Sequence, residues 1–265
     1  MLPARFVRQA YTLQMVSPVR HEARPDEGAA PVRPPLLADL PLLGRLRFLA
    51  FGRAVPAVFF LAVAWLQANT LLGHITAVRR DPSLLNAGEI PHDIIYLLFC
   101  AIPVGIYLTR TVPRASDGSL AARGAALLGT TIVLIIGAVA KGGDVVWSSE
   151  TVTLWVADPV LVVAFSFAVA GLLHLRRNLS LMPEARGLVT TGPYRIVRHP
   201  LYLAEITAAL GFIISSATVV QLMGFVALVA LQITRCGFEE RLLRRTFPEY
   251  DAYAARTRRI IPGVW

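Results

Sequence analysis

Residues 192–233 read GPYRIVRHPLYLAEITAALGFIISSATVVQLMGFVALVALQI. A basic stretch that contains Arg195, Arg198 and His199 opens directly onto a long, nearly apolar run. The small residues SSAT at 215–218 divide that run into segments 201–214 and 219–233. Each segment is shorter than the ~20 residues that cross a bilayer. The pattern is compatible with one kinked span, but it favours a tight, tilted helical hairpin.

The rest of the chain has the composition of a membrane protein. Of its 265 residues, 55% are hydrophobic and only 16% are charged, whereas a soluble domain averages about 25% charged residues. Further apolar runs cover residues 55–73, 94–108, 121–140 and 159–175. We therefore predict an all-α, polytopic membrane protein with five to six transmembrane helices, the last two forming the hairpin.

Charge placement predicts the orientation. If there are six crossings, 23 of the 26 basic residues lie on the side of the two termini. This bias predicts an integral membrane protein with both termini in the cytoplasm. The chain has 25 arginines and one lysine, which suggests a GC-rich bacterial genome. The net charge of +9 is then a topology signal that also suits anionic lipid headgroups. Because there is no soluble basic module, nucleic acid is not an expected partner.

The chain divides into three predicted regions. Residues 1–45 form a disordered or membrane-surface extension, residues 46–175 a four-helix transmembrane region, and residues 176–265 a catalytic region. The last region ends in an amphipathic stretch, 237–259, which Pro248 is expected to divide into two helices and which could lie along the membrane surface.

Cys100 and Cys236 have no disulfide or metal-ligand spacing, so we predict packing roles for both cysteines and no metal site.

The opening stretch has the features of an anion site. Pro200 suits the first turn of a helix, which places His199 next to the free backbone amides and the positive end of the helix dipole. In a hairpin, Arg235, Glu239 and Glu240 must return to this same side. The two clusters together offer donors for a carboxylate and acceptors for a cation, so a zwitterionic ligand would fit both.

Two acidic features leave alternatives open. Glu239 and Glu240 point about 100° apart on a helix, so one can face the site while the other faces an arginine or solvent; both can also belong to an ordinary charged helix end. Glu205 lies inside the apolar segment that follows Pro200, where an ionisable group by default suggests a functional site. A hydrogen bond between helices would equally explain Glu205.

The ordered motifs resemble those of a known family. LVTTGPYRIVRHPLY, a hairpin, R-x-x-x-EE and FPEYDAYAARTRRIIP look like the isoprenylcysteine carboxyl methyltransferases and the related phospholipid methyltransferases, over residues 175–265. The resemblance implies a membrane-embedded site for S-adenosylmethionine and a lipophilic small-molecule or lipid-modified substrate. The residues that it implies for cofactor binding are Arg186, Gly187, Leu188, Val189, Tyr194, His199, Pro200, Leu201, Tyr202 and Glu239. Arg235 would face the acceptor substrate. The N-terminal spans would shape the opening through which the acceptor enters from the lipid.

One departure and several alternatives accompany this resemblance. The eukaryotic enzymes commonly have histidine where this chain has Arg186. The related NADPH-dependent sterol-type reductases often have asparagine where this chain has Leu201, which favours the methyltransferase. A non-catalytic membrane protein is the other alternative. A carboxylate acceptor would need only orientation by Arg235, whereas an amine would need a base such as Glu205. The sequence leaves the choice open.

Overall fold

The computed structural model describes residues 36–139 and 144–263. The predicted N-terminal extension lies outside the described residues up to residue 35. The helices are α1 (Leu42–Arg47), α2 (Val55–Arg80), α3 (Leu84–Thr109), α4 (Leu120–Val139), α5 (Glu150–Val152), α6 (Asp158–Leu175), α7 (Pro200–Ser215), α8 (Val219–Thr246) and α9 (Tyr250–Arg256). The short strands are β1 (Ala115–Ser116), β2 (Val145–Ser148), β3 (Glu184–Ala185) and β4 (Ser216–Thr218).

The predicted all-α polytopic fold is confirmed. Within the described residues, four helical stretches are long and apolar enough to cross a membrane, and two shorter ones are apolar. The four are Leu42–Arg80, Ala87–Thr109, Glu150–Asn178 and Val219–Thr246, and the shorter ones are Leu120–Ile136 and Pro200–Ser215. The helices are longer than the predicted apolar runs, because polar residues at their ends also adopt the helical conformation.

The predicted hairpin is confirmed as two separate helices, α7 and α8, but α8 continues beyond the predicted segment 219–233 to Thr246 and is long enough to cross a membrane. Between them lies β4, which pairs antiparallel with β2. Thr218 ends this strand and caps α8: its hydroxyl accepts the backbone N–H of Gln221, and the Gln221 side chain accepts the backbone N–H of Thr218. This capping box satisfies backbone donors at the start of α8. The two helices pack mainly on others, α7 against α6 and α8 against α4.

The strand pairs mark the two ends of the bundle. β2 and β4 lie at one end, whereas β1 and β3 pair at the other. We call the second the site end; there α3 and α6 finish, α4 and α7 begin, and α8 finishes. Consecutive long helices therefore run in opposite directions, as six antiparallel segments require.

A chain of polar side chains, of which Gln67, His92, Asp93 and Asp158 are buried, joins α2, α3 and α6 away from the site end. Asp93 accepts hydrogen bonds from Gln67 at 2.7 Å and pairs with His74 at 2.6 Å. His74 also reaches Glu89 at 3.0 Å, while His92 lies 3.4 Å from Asp158. The sequence did not indicate this cluster, because its members lie on three separate helices. Buried polar groups that are paired in this way resist separation of the helices that carry them.

We expect Asp93→Asn to destabilise the protein. The substitution removes the negative charge beside His74 and replaces one of the two acceptor oxygens with an amide donor, so only one of Gln67 and His74 can still contact a carboxamide oxygen. The cost of leaving such a buried group poorly paired is about 1–3 kcal/mol. Denaturant titration in detergent measures it, with Asp144→Asn, an exposed position, as the control. Equal unfolding free energies for the two variants would contradict the structural role of Asp93.

The C-terminal segment differs from its prediction. Residues 237–246 continue α8, and the chain breaks around Pro248 as predicted before α9 begins. The apolar side chains of this segment do not form a free amphipathic surface. Phe247, Tyr250 and Tyr253 are buried together with Ala185 of β3. The apolar stripe predicted to face the membrane surface instead holds the loop before α7 in place.

Candidate active site

The loop between α6 and α7 is fixed at the site end by ion pairs. Glu184 pairs with Arg110, and it accepts hydrogen bonds from Arg186 at 2.7 Å and Ser180 at 2.5 Å. Arg186 also donates to the carbonyl of Thr111 at 2.8 Å. The loop is thereby tied to the end of α3, a connection that the sequence motifs did not indicate.

The ion pairs lower the pKa of Glu184. Burial raises the pKa of this carboxyl, but the Arg186 and Arg110 guanidiniums, with the Ser180 hydrogen bond, bring the pKa below its usual range. A lowered folded-state pKa contributes stability above the pKa of the unfolded group, about 4.3. We expect that contribution to be lost as the pH falls through the lower folded-state pKa.

Gly192 allows the turn that carries Tyr194. Its φ of +59° is a left-handed conformation, and an added Cβ would lie 2.3 Å from the His174 ring. The turn leads into the short 3₁₀ helix Gly192–Arg195. Tyr253 of α9 then donates its hydroxyl to the carbonyl of Tyr194 at 2.8 Å. The glycine is therefore required by its backbone conformation and by the adjacent imidazole.

We expect Gly192→Ala to destabilise the site end. The left-handed conformation costs a residue with a Cβ about 1–2 kcal/mol, and the His174 ring must also move. Adding His174→Ala should remove the clash with the imidazole ring but leave the cost of the left-handed backbone conformation. Gly105→Ala is the control, because a Cβ there meets nothing within 4 Å and alanine favours the helix by about 1 kcal/mol. Similar melting temperatures for both glycine variants would contradict this explanation.

Residues 198–200, the RHP motif, are held by a segment near the C-terminal end of the described residues. The backbone N–H groups of Arg198 and His199 donate to the carbonyls of Arg258 and Arg259 at 2.7 and 3.0 Å. His199 then immediately precedes α7, whose first residue is Pro200, as the sequence predicts. This pairing fixes the imidazole at the entrance to the helix.

Glu239 and Glu240 diverge. The Tyr202 hydroxyl donates to Glu239, and the His199 ring stacks parallel to the Tyr202 ring with centroids 5.4 Å apart. Glu240 instead lies in the protein interior, where Arg198 and Arg259 each approach it to 3.0 Å. Glu239 therefore lines the candidate site, whereas Glu240 faces the arginines and also lies 3.4 Å from His199 Nε2. Arg198, which the sequence predicts to add positive charge at the anion site and on the cytoplasmic side, is a structural partner of Glu240.

A second polar group lies deeper, between α7 and α8. Gln232 is fully buried; its amide nitrogen donates to Glu205 Oε2 at 2.5 Å, and its amide oxygen accepts from Arg235 at 3.2 Å. The Arg235 guanidinium lies 4.6 Å from the Tyr202 ring centroid. Space for Arg235 comes from Gly129 of α4, where an added Cβ would lie 2.8 Å from the arginine Cδ. The sequence did not indicate Gln232 or Gly129.

Glu205, Arg235 and Tyr202 line a cavity of about 250 Å³, whereas Gln232 is not among the lining residues. All the residues predicted for the site line it: Arg186, Gly187, Leu188, Val189, Tyr194, His199, Pro200, Leu201, Tyr202, Glu205, Arg235 and Glu239. Other lining residues were missed, notably Asn178, Glu184, Tyr250 and the aromatic residues Phe59, Phe60, Tyr96, Phe99, Phe165 and Phe212. The cavity is therefore polar at the site end and aromatic within the apolar part of the bundle.

The comparisons with known proteins concern the same part of the chain. Residues 152–250, which include every predicted site residue, match the family model described as phospholipid methyltransferase. The nickel-cobalt-cadmium resistance protein NccN of Alcaligenes xylosoxydans xylosoxydans is 41% identical over 80 residues, or 29% of this chain and 37% of that protein. The cobalt-zinc-cadmium resistance protein CzcN of Cupriavidus metallidurans is 37% identical over 78 residues, or 29% and 36%.

The matched stretch thus spans little more than a third of the length of these relatives. The family model covers α6, the loop after it, α7 and α8 up to the start of α9. These elements supply the polar end of the cavity, and the family resemblance predicted from the motifs is confirmed. Residues 152–250 of this chain are thus similar to the phospholipid methyltransferase family.

Proposed function

We propose that this chain is an S-adenosylmethionine-dependent methyltransferase that acts in the membrane on a lipophilic acceptor. The observation that carries the proposal is the two-ended cavity. Its polar end contains the family motif residues, and its other end is lined by aromatic side chains among the apolar helices. A charged cofactor and a lipophilic acceptor can therefore enter from different environments and meet where the two ends join.

The polar end fits the charged part of S-adenosylmethionine. Arg186 Nη1 is buried and has no hydrogen-bond partner among the described residues, so it remains a donor for a carboxylate. Glu239 supplies a negative charge for an ammonium group, and Tyr194 and Tyr202 add aromatic surface. When bound, S-adenosylmethionine supplies an electrophilic methyl group on a positively charged sulfur.

The chain's own residues orient the reactants and exclude water. The His199–Tyr202 stack and the Tyr202–Glu239 hydrogen bond hold one wall of the cavity. Arg235, packed against Tyr202, lies where the polar and aromatic ends meet. Methyl transfer depends on alignment of the acceptor in a dry site, for which a preorganised wall of this kind is suited.

The proposed orientation places the site end in the cytoplasm. Arg53, Arg110, Arg186 and Arg198 all lie at this end, in agreement with the charge bias in the sequence. The cofactor would then enter from the cytoplasm, and membrane lipids would surround the aromatic end.

Methyl transfer to a membrane extract tests the proposed function. The purified chain is incubated with methyl-labelled S-adenosylmethionine and a bacterial lipid extract, and label is measured in the organic phase. We expect label to transfer in proportion to protein and to be inhibited by S-adenosylhomocysteine. Absence of labelled lipophilic product with a folded protein would contradict the proposal.

A further inference from the structure

We propose that Glu205 accepts a proton from the methyl acceptor, so that the acceptor is a lipophilic amine, thiol or hydroxyl compound and not a carboxylate. The inference rests on the proposed function, which leaves the acceptor open. It is carried by the arrangement of Glu205, Gln232 and Arg235 at the junction of the two ends of the cavity.

The position of Glu205 suits a proton acceptor. It lines the cavity on α7, together with Ala208, Ala209 and Phe212 toward the aromatic end. The hydrogen bond from Gln232 occupies Oε2. Within the part of the chain that the structure describes, no hydrogen bond occupies the other carboxylate oxygen. One oxygen is therefore oriented by the protein, while the other remains for a proton on a molecule in the cavity.

Charge balance argues against a carboxylate acceptor. Gln232 connects the Glu205 carboxylate to the Arg235 guanidinium, so the buried cation already has an anion connected to it through one amide. Glu239 adds a second carboxylate to the same cavity. Because Glu239 is assigned to the cofactor's ammonium group, the carboxylate that matters for the acceptor is Glu205. A carboxylate acceptor that approached Arg235 would lie beside the Glu205 carboxylate in a region of low dielectric, and this like-charge contact is electrostatically unfavourable.

The reaction balances with a proton-bearing acceptor. A bond forms between the acceptor's nitrogen, sulfur or oxygen and the methyl carbon, while the bond from methyl carbon to sulfur breaks and its electron pair stays on sulfur. The proton that the acceptor loses goes to Glu205. The positive charge of the sulfonium and the negative charge of the carboxylate disappear together, so no net charge is created within the membrane.

The chemistry of the labelled product tests the acceptor class. Lipophilic product from the labelling reaction is treated with alkali, which releases volatile methanol from a carboxyl methyl ester but leaves N-methyl, S-methyl and ether linkages intact. We expect the label to stay non-volatile, either in the organic phase or in a water-soluble headgroup that alkali frees from an acylated lipid. Release of the label as methanol would overturn the proposal while leaving the methyltransferase function standing. Absence of any labelled product would instead overturn the proposed function itself.

The Glu205→Gln variant tests the role of the carboxylate. General base catalysis contributes about 100- to 10,000-fold, so we expect kcat to fall by that factor while affinity for S-adenosylhomocysteine stays within about threefold. The rise of kcat/KM with pH through the ionisation of Glu205 should disappear, and Glu205→Asp should restore part of the rate. Glu150→Gln, an exposed acid at the other end of the bundle, is the control. A Glu205→Gln rate equal to that control would overturn the proposal.

Discussion

Glu240→Ala is expected to destabilise the site end more strongly than Gly192→Ala. The Glu240 side chain is 1% exposed and is approached by Arg198 and Arg259. Its removal leaves these arginines without their common buried anion. Breaking a buried ion pair by deleting one partner costs about 3–5 kcal/mol, and here one carboxylate serves two guanidiniums. Denaturant titration of the purified protein in detergent measures the loss.

Glu249→Ala is the matched control, because that glutamate is exposed and lies only nine positions away. Its free energy of unfolding should stay within about 0.5 kcal/mol of the native value, as is usual for surface substitutions. A Glu240 variant as stable as this control would show that the arginines do not depend on Glu240.

Glu239→Gln is expected to have the opposite character, with a preserved fold and weakened cofactor binding. The glutamine oxygen can still accept the Tyr202 hydroxyl, so the wall of the cavity should remain in place. What is lost is the negative charge proposed to bind the ammonium group. A hydrogen bond to a charged group is worth about 1.5–3 kcal/mol, which corresponds to roughly 10- to 100-fold weaker binding of S-adenosylhomocysteine.

Calorimetric titration measures that change, and the melting temperature checks the fold. Glu249→Gln, which makes the same chemical change at an exposed position, should bind like the native protein. Unchanged affinity in the Glu239 variant would remove this residue from the proposed cofactor site. The adjacent pair thereby separates loss of the proposed charge partner of the cofactor, at Glu239, from loss of a buried ion pair, at Glu240.

Much of the fold and the motif residues could be predicted from local patterns. Apolar runs predict the spans, the interruption at 215–218 predicts the hairpin, and Pro248 predicts the break before α9. Helical geometry alone predicts that Glu239 and Glu240 diverge. These predictions succeed because they depend on neighbouring residues and on the opposite directions of consecutive spans.

The remaining features depend on contacts between distant segments. Arg186 pairs with Glu184, but the Arg110 partner of that carboxylate comes from the end of α3. Gln232 becomes notable only once α7 and α8 bring Glu205 and Arg235 to its two amide atoms. The aromatic end of the cavity is likewise formed by residues of α2, α3, α6 and α7. In the sequence, nothing distinguishes these aromatic residues from the other apolar residues of the same helices.

Isothermal titration calorimetry of the purified chain with S-adenosylhomocysteine and with NADPH tests whether the cavity is a methyltransferase cofactor site. The proposed methyltransferase site predicts saturable, one-site binding of S-adenosylhomocysteine that Glu239→Gln weakens, and no binding of NADPH. Saturable binding of NADPH without affinity for S-adenosylhomocysteine would contradict the account and favour the reductase. A folded protein that binds neither compound would contradict it in favour of a non-catalytic membrane protein.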